Sequence, residues 1–349
     1  GKVMDNKMIR CQGFYSFLVL ILLGLAGYFS TLPAQTKVGT TAVPFLGVSV
    51  GPRATAMGGA FAAVSTDASA LYYNPGGIAQ LPNSQIQFVH TNWLVDSKLN
   101  WFGFVLNLDG SNAIGISYTQ LGYGEEQVTT VLQPEGTGEI WQASDLAVGL
   151  SYARRLTDRF SIGGSGKYIQ QKLWNESASA FALDVGLLFI TPFKDMRLGM
   201  SISNFGSDVR HDGRDLLQRV DLDPNSLGDN QNIVANLKTE SWPLPLFFRV
   251  GLALDAIKAQ HYRLTVAADA LRPSDNDEII NVGAEFAFSE LAFFRAGYKS
   301  LFREDSEEGP TFGVGVKYKV SGIGYHFDYT FADFGLFENI QMFSLGISF

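Results

Sequence analysis

Between residues 311 and 320 the chain alternates without a break. Phe312, Val314, Val316, Tyr318 and Val320 share one face of an extended strand, while Thr311, Gly313, Gly315, Lys317 and Lys319 share the other. Apolar side chains on one face and ammonium groups on the other require two different surroundings. The pattern recurs at 323–331, where Ile323, Tyr325, Phe327, Tyr329 and Phe331 oppose Gly324, His326, Asp328 and Thr330. It returns in Phe343, Leu345, Ile347 and Phe349 against Ser344, Gly346 and Ser348, in 248–255, and in 263–269. A charged face that comes back strand after strand fits a watery lumen, with the apolar face turned to lipid. On this reading Gly315 faces water, and Gly315→Ser is expected to be nearly silent.

A soluble sandwich also alternates, so the connections must separate the two. One set of alternate turns is short, at 109–111, 154–158, 191–195, 257–261, 288–290 and 321–322. The intervening set is mostly longer, at 122–139, 205–245, 272–277, 300–310 and 332–338, with short exceptions near Asp96 and Asn175. Short turns at one end and long loops at the other are the arrangement of outer-membrane barrels. The expected fold is all-β: a transmembrane antiparallel β-barrel of about 14 strands with both chain ends on one side. A barrel of about fourteen strands has a lumen too wide for its own side chains to fill, yet narrower than an open pore.

Residues 47–81, GVSVGPRATAMGGAFAAVSTDASALYYNPGGIAQL, differ in kind and are suited to filling that lumen. A short helix is expected over 67–73 with Thr66 or Asp67 as N-cap. Pro75 pushes Asn74 into extended backbone and suits a first helical position, so Asn74 is expected to cap a second short helix over 75–81. Such pieces are too short to stand alone and must pack against something larger. The runs Met57-Gly-Gly-Ala-Phe-Ala-Ala-Val64, Asp67-Ala-Ser-Ala70 and Tyr73-Asn-Pro-Gly-Gly-Ile-Ala79 resemble the N-terminal hatch of the PorV/PorQ family of outer-membrane barrels. That family is itself similar to the FadL-type channels for hydrophobic substrates. The resemblance implies a small helical hatch in the lumen of a FadL-like barrel, with Met57, Gly58, Gly59, Asp67, Asn74, Pro75 and Gly76 as its motif. The motif usually reads Asn-Pro-Ala; the glycine at 76 is expected to cost about 1 kcal/mol of helix stability and nothing else.

The segment before the hatch reads as an export signal. Lys2, Lys7 and Arg10 precede an apolar run over 14–29 that is short for a membrane span, and 31–34 offer a cleavage site before Gln35. The expected organisation is a signal peptide at 1–34, a hatch at 35–83 and a barrel at 84–349, located in the bacterial outer membrane. The single cysteine, Cys11, falls within the signal, which leaves no thiolate for a metal or a nucleophile. A net charge of −8, more negative once the basic signal is removed, argues against nucleic acid as a partner.

Chemistry-bearing clusters are sparse. The four histidines are His90, His211, His261 and His326. If the last hairpin closes symmetrically about 332–338, His326 lies opposite Ser344, with Asp328 two residues along, and a base–nucleophile pair could form. Both side chains point into the lumen, away from lipid, and a polar wall pair is the favoured reading; no catalytic residue and no enzymatic activity are expected. The loop segment Asp221-Leu-Asp-Pro-Asn225 with Asp229 is spaced like a calcium loop, but Ser226 and Asn232 stand where its glycine and bidentate carboxylate belong. Glu304, Asp305, Glu307 and Glu308 read as a solvated loop tip, and the glycines of 163–166 as a bend or a contact with the hatch. No metal and no cofactor are expected. Asp184, Arg249, Asp255, Arg263, Asp269, Arg295, Lys317, Lys319, His326 and Asp328 are expected to point inward, hydrating the wall or pairing with one another and the hatch. Besides outer-membrane lipid, two kinds of partner follow from the resemblance. PorV/PorQ similarity implies a type IX secretion component that binds secreted substrates or attachment machinery. FadL similarity implies passage of hydrophobic small molecules, which a charged wall serves less well than an apolar pocket would.

Overall fold

A computed structural model describes residues 38–221, 232–303, 306–337 and 339–349. The signal segment, the acidic loop beyond Asp221, and Glu304 and Asp305 lie outside the described residues. Seven strands come first: β1 (Gln85–Asn92), β2 (Lys98–Asn107), β3 (Asn112–Gln127), β4 (Ile140–Thr157), β5 (Phe160–Leu173), β6 (Glu176–Ile190) and β7 (Arg197–Gly206). Seven more follow the long loop: β8 (Phe247–Lys258), β9 (Tyr262–Pro273), β10 (Ile279–Phe288), β11 (Ala292–Leu301), β12 (Pro310–Val320), β13 (Ile323–Asp333) and β14 (Asn339–Ser348). Each pairs antiparallel with its chain neighbours, and β1 pairs with β14 from Gln85↔Ser348 to Asn92↔Gln341, closing the 14-strand barrel. Closure leaves no edge of unpaired backbone, which a hydrocarbon environment would penalise.

The alternation is realised as read. Phe312, Val314, Val316, Tyr318 and Val320 are all exposed on the outer wall, as are Phe248, Leu252, Phe327 and Leu345. The strands run further than the sequence breaks suggest. β3 continues to Gln127 and β4 to Thr157, because polar residues at strand ends still complete the ladder in water. The 154–158 turn therefore contracts to Asp158 and Arg159. β3 to β6 are 16, 18, 14 and 15 residues long, against 10 to 12 for β8 to β14. A tilted strand needs about 9–11 residues to cross the hydrocarbon core. Most of the surplus lies at the long-loop end, where β3 runs on past its Lys98↔Gly122 pair with β2 and turns polar as Glu125, Glu126 and Gln127.

The last hairpin differs from the symmetric closure. Asp333 pairs with Asn339, so His326 faces Gly346 and Ser344 faces Asp328. The strand runs two residues deeper into the presumed loop and shifts every partner by two. His326 Nε2 instead lies 3.3 Å from Ser348 Oγ, and Ser344 Oγ donates to Asp328 Oδ2 at 3.4 Å.

The chain before β1 folds inside the barrel as four short turns of helix: Pro44–Gly47, Pro52–Ala56, Ala70–Tyr73 and Pro75–Gln80. Its apolar side chains Met57, Phe61, Leu71, Ile78 and Leu81 are 0–3% exposed and form one core with inward Leu99, Val105, Ala113, Ala147 and Ala153 of the wall. Each large side chain buried in this way contributes about 1.5–3 kcal/mol.

Lipid-facing and lumen-facing positions should respond differently to charge. Val316→Arg, in the middle of β12, is expected to cost about 2–4 kcal/mol in a refolding titration in phospholipid bilayers. Lys319→Gln, on the other face and exposed to water, is expected to change stability by less than about 0.5 kcal/mol. Equal losses would overturn the facing. Gly315→Ser is no longer the suitable control, because a side chain there would meet the Asp328 carboxylate and, at 2.7 Å, Arg295 Nη1.

Candidate functional site

The hatch is held by the wall through one buried carboxylate that sequence reading missed. Gly51 and Pro52 start the short Pro52–Ala56 helix, which presents Arg53 to the wall. Arg53 Nε and Nη2 donate to the two oxygens of Glu285 at 2.7 and 2.9 Å, a bidentate pair with Glu285 fully buried. Arg295 Nε donates to the same carboxylate at 2.8 Å and Arg263 Nη2 at 3.2 Å. Arg295 Nη1 extends the network to Asp328 at 2.6 Å, and Arg53 Nη1 reaches Thr66 Oγ1 at 2.7 Å and Asp67 Oδ2 at 3.1 Å. Three guanidinium groups thus converge on one carboxylate. The signal was present: Glu285 has the inward parity of β10 and lies directly across from Arg295 on β11.

The remaining contacts are wall side chains that bind hatch backbone. Asp269 Oδ2 accepts the N–H groups of Phe61 and Ala62, both at 2.8 Å. Ser161 Oγ donates to Gly76 O and Ser201 Oγ to Tyr73 O, each at 2.8 Å. Thr311 Oγ1 donates to Ala56 O at 3.0 Å and accepts from Gly58 N at 3.1 Å, while Thr330 Oγ1 donates to Pro52 O. Asn74 does more than cap. Its Oδ1 accepts from Gly76 N at 3.1 Å, and its Nδ2 donates to Ala62 O and to Leu187 O of the wall at 2.8 Å. The turn it starts, Pro75–Gln80, is a 3-10 helix.

Two expectations about the hatch are corrected. The helix after Asp67 begins only at Ala70, with Ser69 before it and no side-chain cap. Asp67 is drawn to Arg53 instead, and its Oδ1 accepts the Ser69 N–H at 2.9 Å. Gly76 is also more than a weak helix former, since a Cβ there would sit 2.6 Å from Gly186 O. The same closeness holds in reverse at wall glycines Gly163, Gly186, Gly199, Gly283 and Gly297, where hatch backbone lies against the strand. Gly58, at φ 66°, has its missing Cβ within 2.7 Å of Tyr298 O and Val282 O, so no other residue fits that turn unshifted. Gly59 follows at φ 81°, with Met57 fully buried beside them.

The inward residues divide between the two ends of the hatch. At the short-turn end a chamber of about 440 Å³ is lined by Arg53, Arg197, Asp255, Arg263, Lys317 and His326 among others. There Asp255 accepts from Arg197 Nη2 at 2.9 Å, and Arg263 Nε donates to Glu290 at 2.8 Å. Lys319 is exposed beside the Ser321–Gly322 turn. At the long-loop end a second chamber, about 370 Å³, is lined by Tyr72, Phe247, Arg249, Asn276, Lys299 and Glu308 among others. Asp184 lies to one side, paired with Lys167 at 2.8 Å and accepting from Asn204 N at 2.8 Å. A recess with apolar lining from Phe45, Leu46, Leu71 and Trp101 holds only about 30 Å³. Glu307 and Glu308 are not solvated tips: Glu307 Oε2 accepts from Leu336 N at 2.9 Å, and Glu308 Oε1 from Lys299 Nζ at 2.6 Å. Burial works against ionising Glu308, yet the Lys299 ammonium, the Ser300 hydroxyl and the Arg303 charge together outweigh it and hold its pKa below the ordinary carboxylate value.

Two substitutions test this attachment. Glu285→Gln removes the charge that three arginines share, and the guanidinium groups, left only with Asp67, Glu290 and Asp328, should loosen the hatch by about 3–5 kcal/mol. Hatch amides should exchange with solvent at least tenfold faster while the barrel stays heat-modifiable on gels; unchanged exchange would show that the carboxylate is not the anchor. Asn74→Ala strands two carbonyls and one N–H, each at about 1–3 kcal/mol. Protection should fall around Ala62 and Gly76 first, and loss spread evenly over the hatch would contradict the local role.

The architecture is shared with solved structures. The CymD monoaromatic hydrocarbon channel matches at 13% identity and a TM-score of 0.53, over 86% of this chain and 97% of its own. A Pseudomonas aeruginosa FadL homologue matches at 11% identity and 0.51, over 86% and 98%. The Ralstonia pickettii toluene transporter TbuX matches at 14% and 0.51, over 86% and 97%. At such identities the likeness is one of fold, a FadL-like outer-membrane barrel. Among curated proteins none matches in sequence. The family model of the type IX secretion system protein PorV matches residues 32–216, through the hatch and the first half of the wall. A closed barrel of this kind resides in the bacterial outer membrane, and the chain belongs to the PorV family.

Proposed function

We propose that this barrel serves type IX secretion by binding secreted substrates or the attachment machinery, and that it does so without catalysis. One observation carries the reading: among the described residues the hatch fills the lumen and leaves no mostly apolar cavity of ligand size in it. Sites for drug-sized apolar ligands enclose about 300–1,000 Å³ with mostly apolar lining. The two lumen chambers of that order carry guanidinium, ammonium and carboxylate groups among their lining, the apolar recess is near 30 Å³, and an apolar groove of about 610 Å³ lies against the outward side chains Leu252, Val266, Val282 and Tyr298. A hatch joined to seven strands by hydrogen bonds and an ion pair is a fixed partition, suited to a protein whose work is done on its surface.

The long-loop end supports the same reading. Val131 and Leu132, in the β3–β4 loop, are 100% and 92% exposed, and Phe302 and Leu336 are 84% and 86% exposed. These side chains stand in loops, beyond the lipid belt, where exposed apolar groups mark contact surfaces. The alternative is a channel for hydrophobic small molecules. It draws on the barrel-and-hatch fold shared with proteins described as hydrocarbon channels and toluene transporters. Opening that path would require the Arg53–Glu285 attachment to be undone.

The test is a cell complemented with a Val131→Asp, Leu132→Asp double variant at normal barrel abundance. Surface delivery of secreted proteins and co-purification of partners should fall at least several-fold, with toluene uptake unchanged. Intact delivery together with altered uptake would reject the secretion reading in favour of the channel.

A further inference from the structure

Arg249 is the one inward arginine of β8, and its surroundings are unlike those of the arginines at the other end. It is 6% exposed. Its guanidinium carbon lies 5.0 Å from the Phe247 ring centroid, 5.4 Å from Tyr72 and 5.9 Å from Tyr73. The cage is itself braced: Tyr72 Oη donates to Leu46 O at 2.9 Å, and the Tyr72 and Tyr73 rings meet edge to face at 4.8 Å. Among the described residues no carboxylate lies within ion-pair distance of Arg249, whereas Arg53, Arg197, Arg263 and Arg295 each have one. Its hydrogen bond within this set runs from Nη1 to Ser203 Oγ at 3.2 Å, and the guanidinium lines the chamber at the long-loop end. A guanidinium carries five N–H donors in a planar fork.

Three aromatic faces offset part of the cost of burying that charge, and they fix the plane of the fork. Of the chamber's other cations, one has a carboxylate partner and the other a neutral amide. Lys299 pairs with Glu308 at 2.6 Å, and Arg303 donates to Asn276 Oδ1 at 3.1 Å. The chamber's floor is hatch, with Ser49 and Tyr72, and its rim includes the half-buried loop residues Asn276 and Arg303. A buried, oriented fork with donors to spare, at the bottom of a polar chamber of about 370 Å³, matches the planar two-oxygen geometry of a carboxylate.

We propose that the chamber at the long-loop end is a carboxylate-binding site anchored by Arg249. The carboxylate comes either from a small organic acid or from an acidic side chain or chain terminus of a polypeptide. Both share the chemistry the fork selects. The inference does not rest on the secretion reading, whose test is surface delivery in cells.

The experiment uses the full barrel purified in detergent micelles and titrated calorimetrically with succinate and, separately, with an end-blocked Ser-Glu-Asp peptide. At least one should bind saturably. Arg249→Met should weaken that binding tenfold or more, and Arg249→Lys, which keeps the charge but loses the fork, should fall between. Tighter binding of the peptide assigns the carboxylate to a polypeptide, and equal or tighter binding of succinate to a small acid. Should the methionine variant fail to assemble, arginine Nε–H resonances of the nitrogen-labelled wild type report the same event, one signal shifting on addition of succinate or peptide. Absence of saturable binding by wild type with both probes, or a methionine variant that binds as tightly, overturns the proposal.

Discussion

The structure depends on the contact between Arg53 and Glu285. A carboxylate buried in the middle of a barrel wall is tolerable only with charged donors around it, and two of its three arginines, Arg263 and Arg295, belong to the wall. The third comes from the hatch. The wall's electrostatics are therefore complete only with the hatch in place, and the hatch, too short in every piece to fold by itself, acquires a fixed position from the same carboxylate.

Around this contact, backbone satisfaction does the rest. Segments of four to six helical residues leave most of their N–H and C=O groups without internal partners. In a soluble protein water would take them. Here Asp269, Ser161, Ser201, Thr311 and Thr330 do so from the strands, and this explains why lumen-facing positions that look merely polar in sequence are specific. The glycines opposite them let two backbones approach where a methyl group would intervene. Small residues and hydroxyls on the wall are one device: the first brings the hatch close, the second binds it.

Much of the fold was legible because a barrel strand carries its orientation in its parity. Val316 and Lys317 could be assigned to lipid and lumen without knowing where any strand ended. What parity does not encode is depth and register. The shift by two that separates His326 from Ser344 arises because Ala332 and Asp333 continue the strand, and nothing in their side chains distinguishes a last rung from a first loop residue. The candidate site was legible as a set of inward residues and not as pairs. Glu285 was passed over for lack of a motif around it, and Arg53 because a hatch of small residues drew attention to its glycines and to Asn74. Pairing between residues more than two hundred positions apart has no local signature in one chain.

The unequal strand lengths have a consequence of their own. From β3 to β6 the sheet rises past the lipid while β8 to β14 stop near its surface. A flexible loop loses about 1–2 kcal/mol of backbone entropy for each residue it fixes on contact. Residues already held in a hydrogen-bonded ladder have lost that freedom during folding. The tall side is thus a stiff palisade on an otherwise low rim. A large body resting against it would keep a set tilt with respect to the membrane plane.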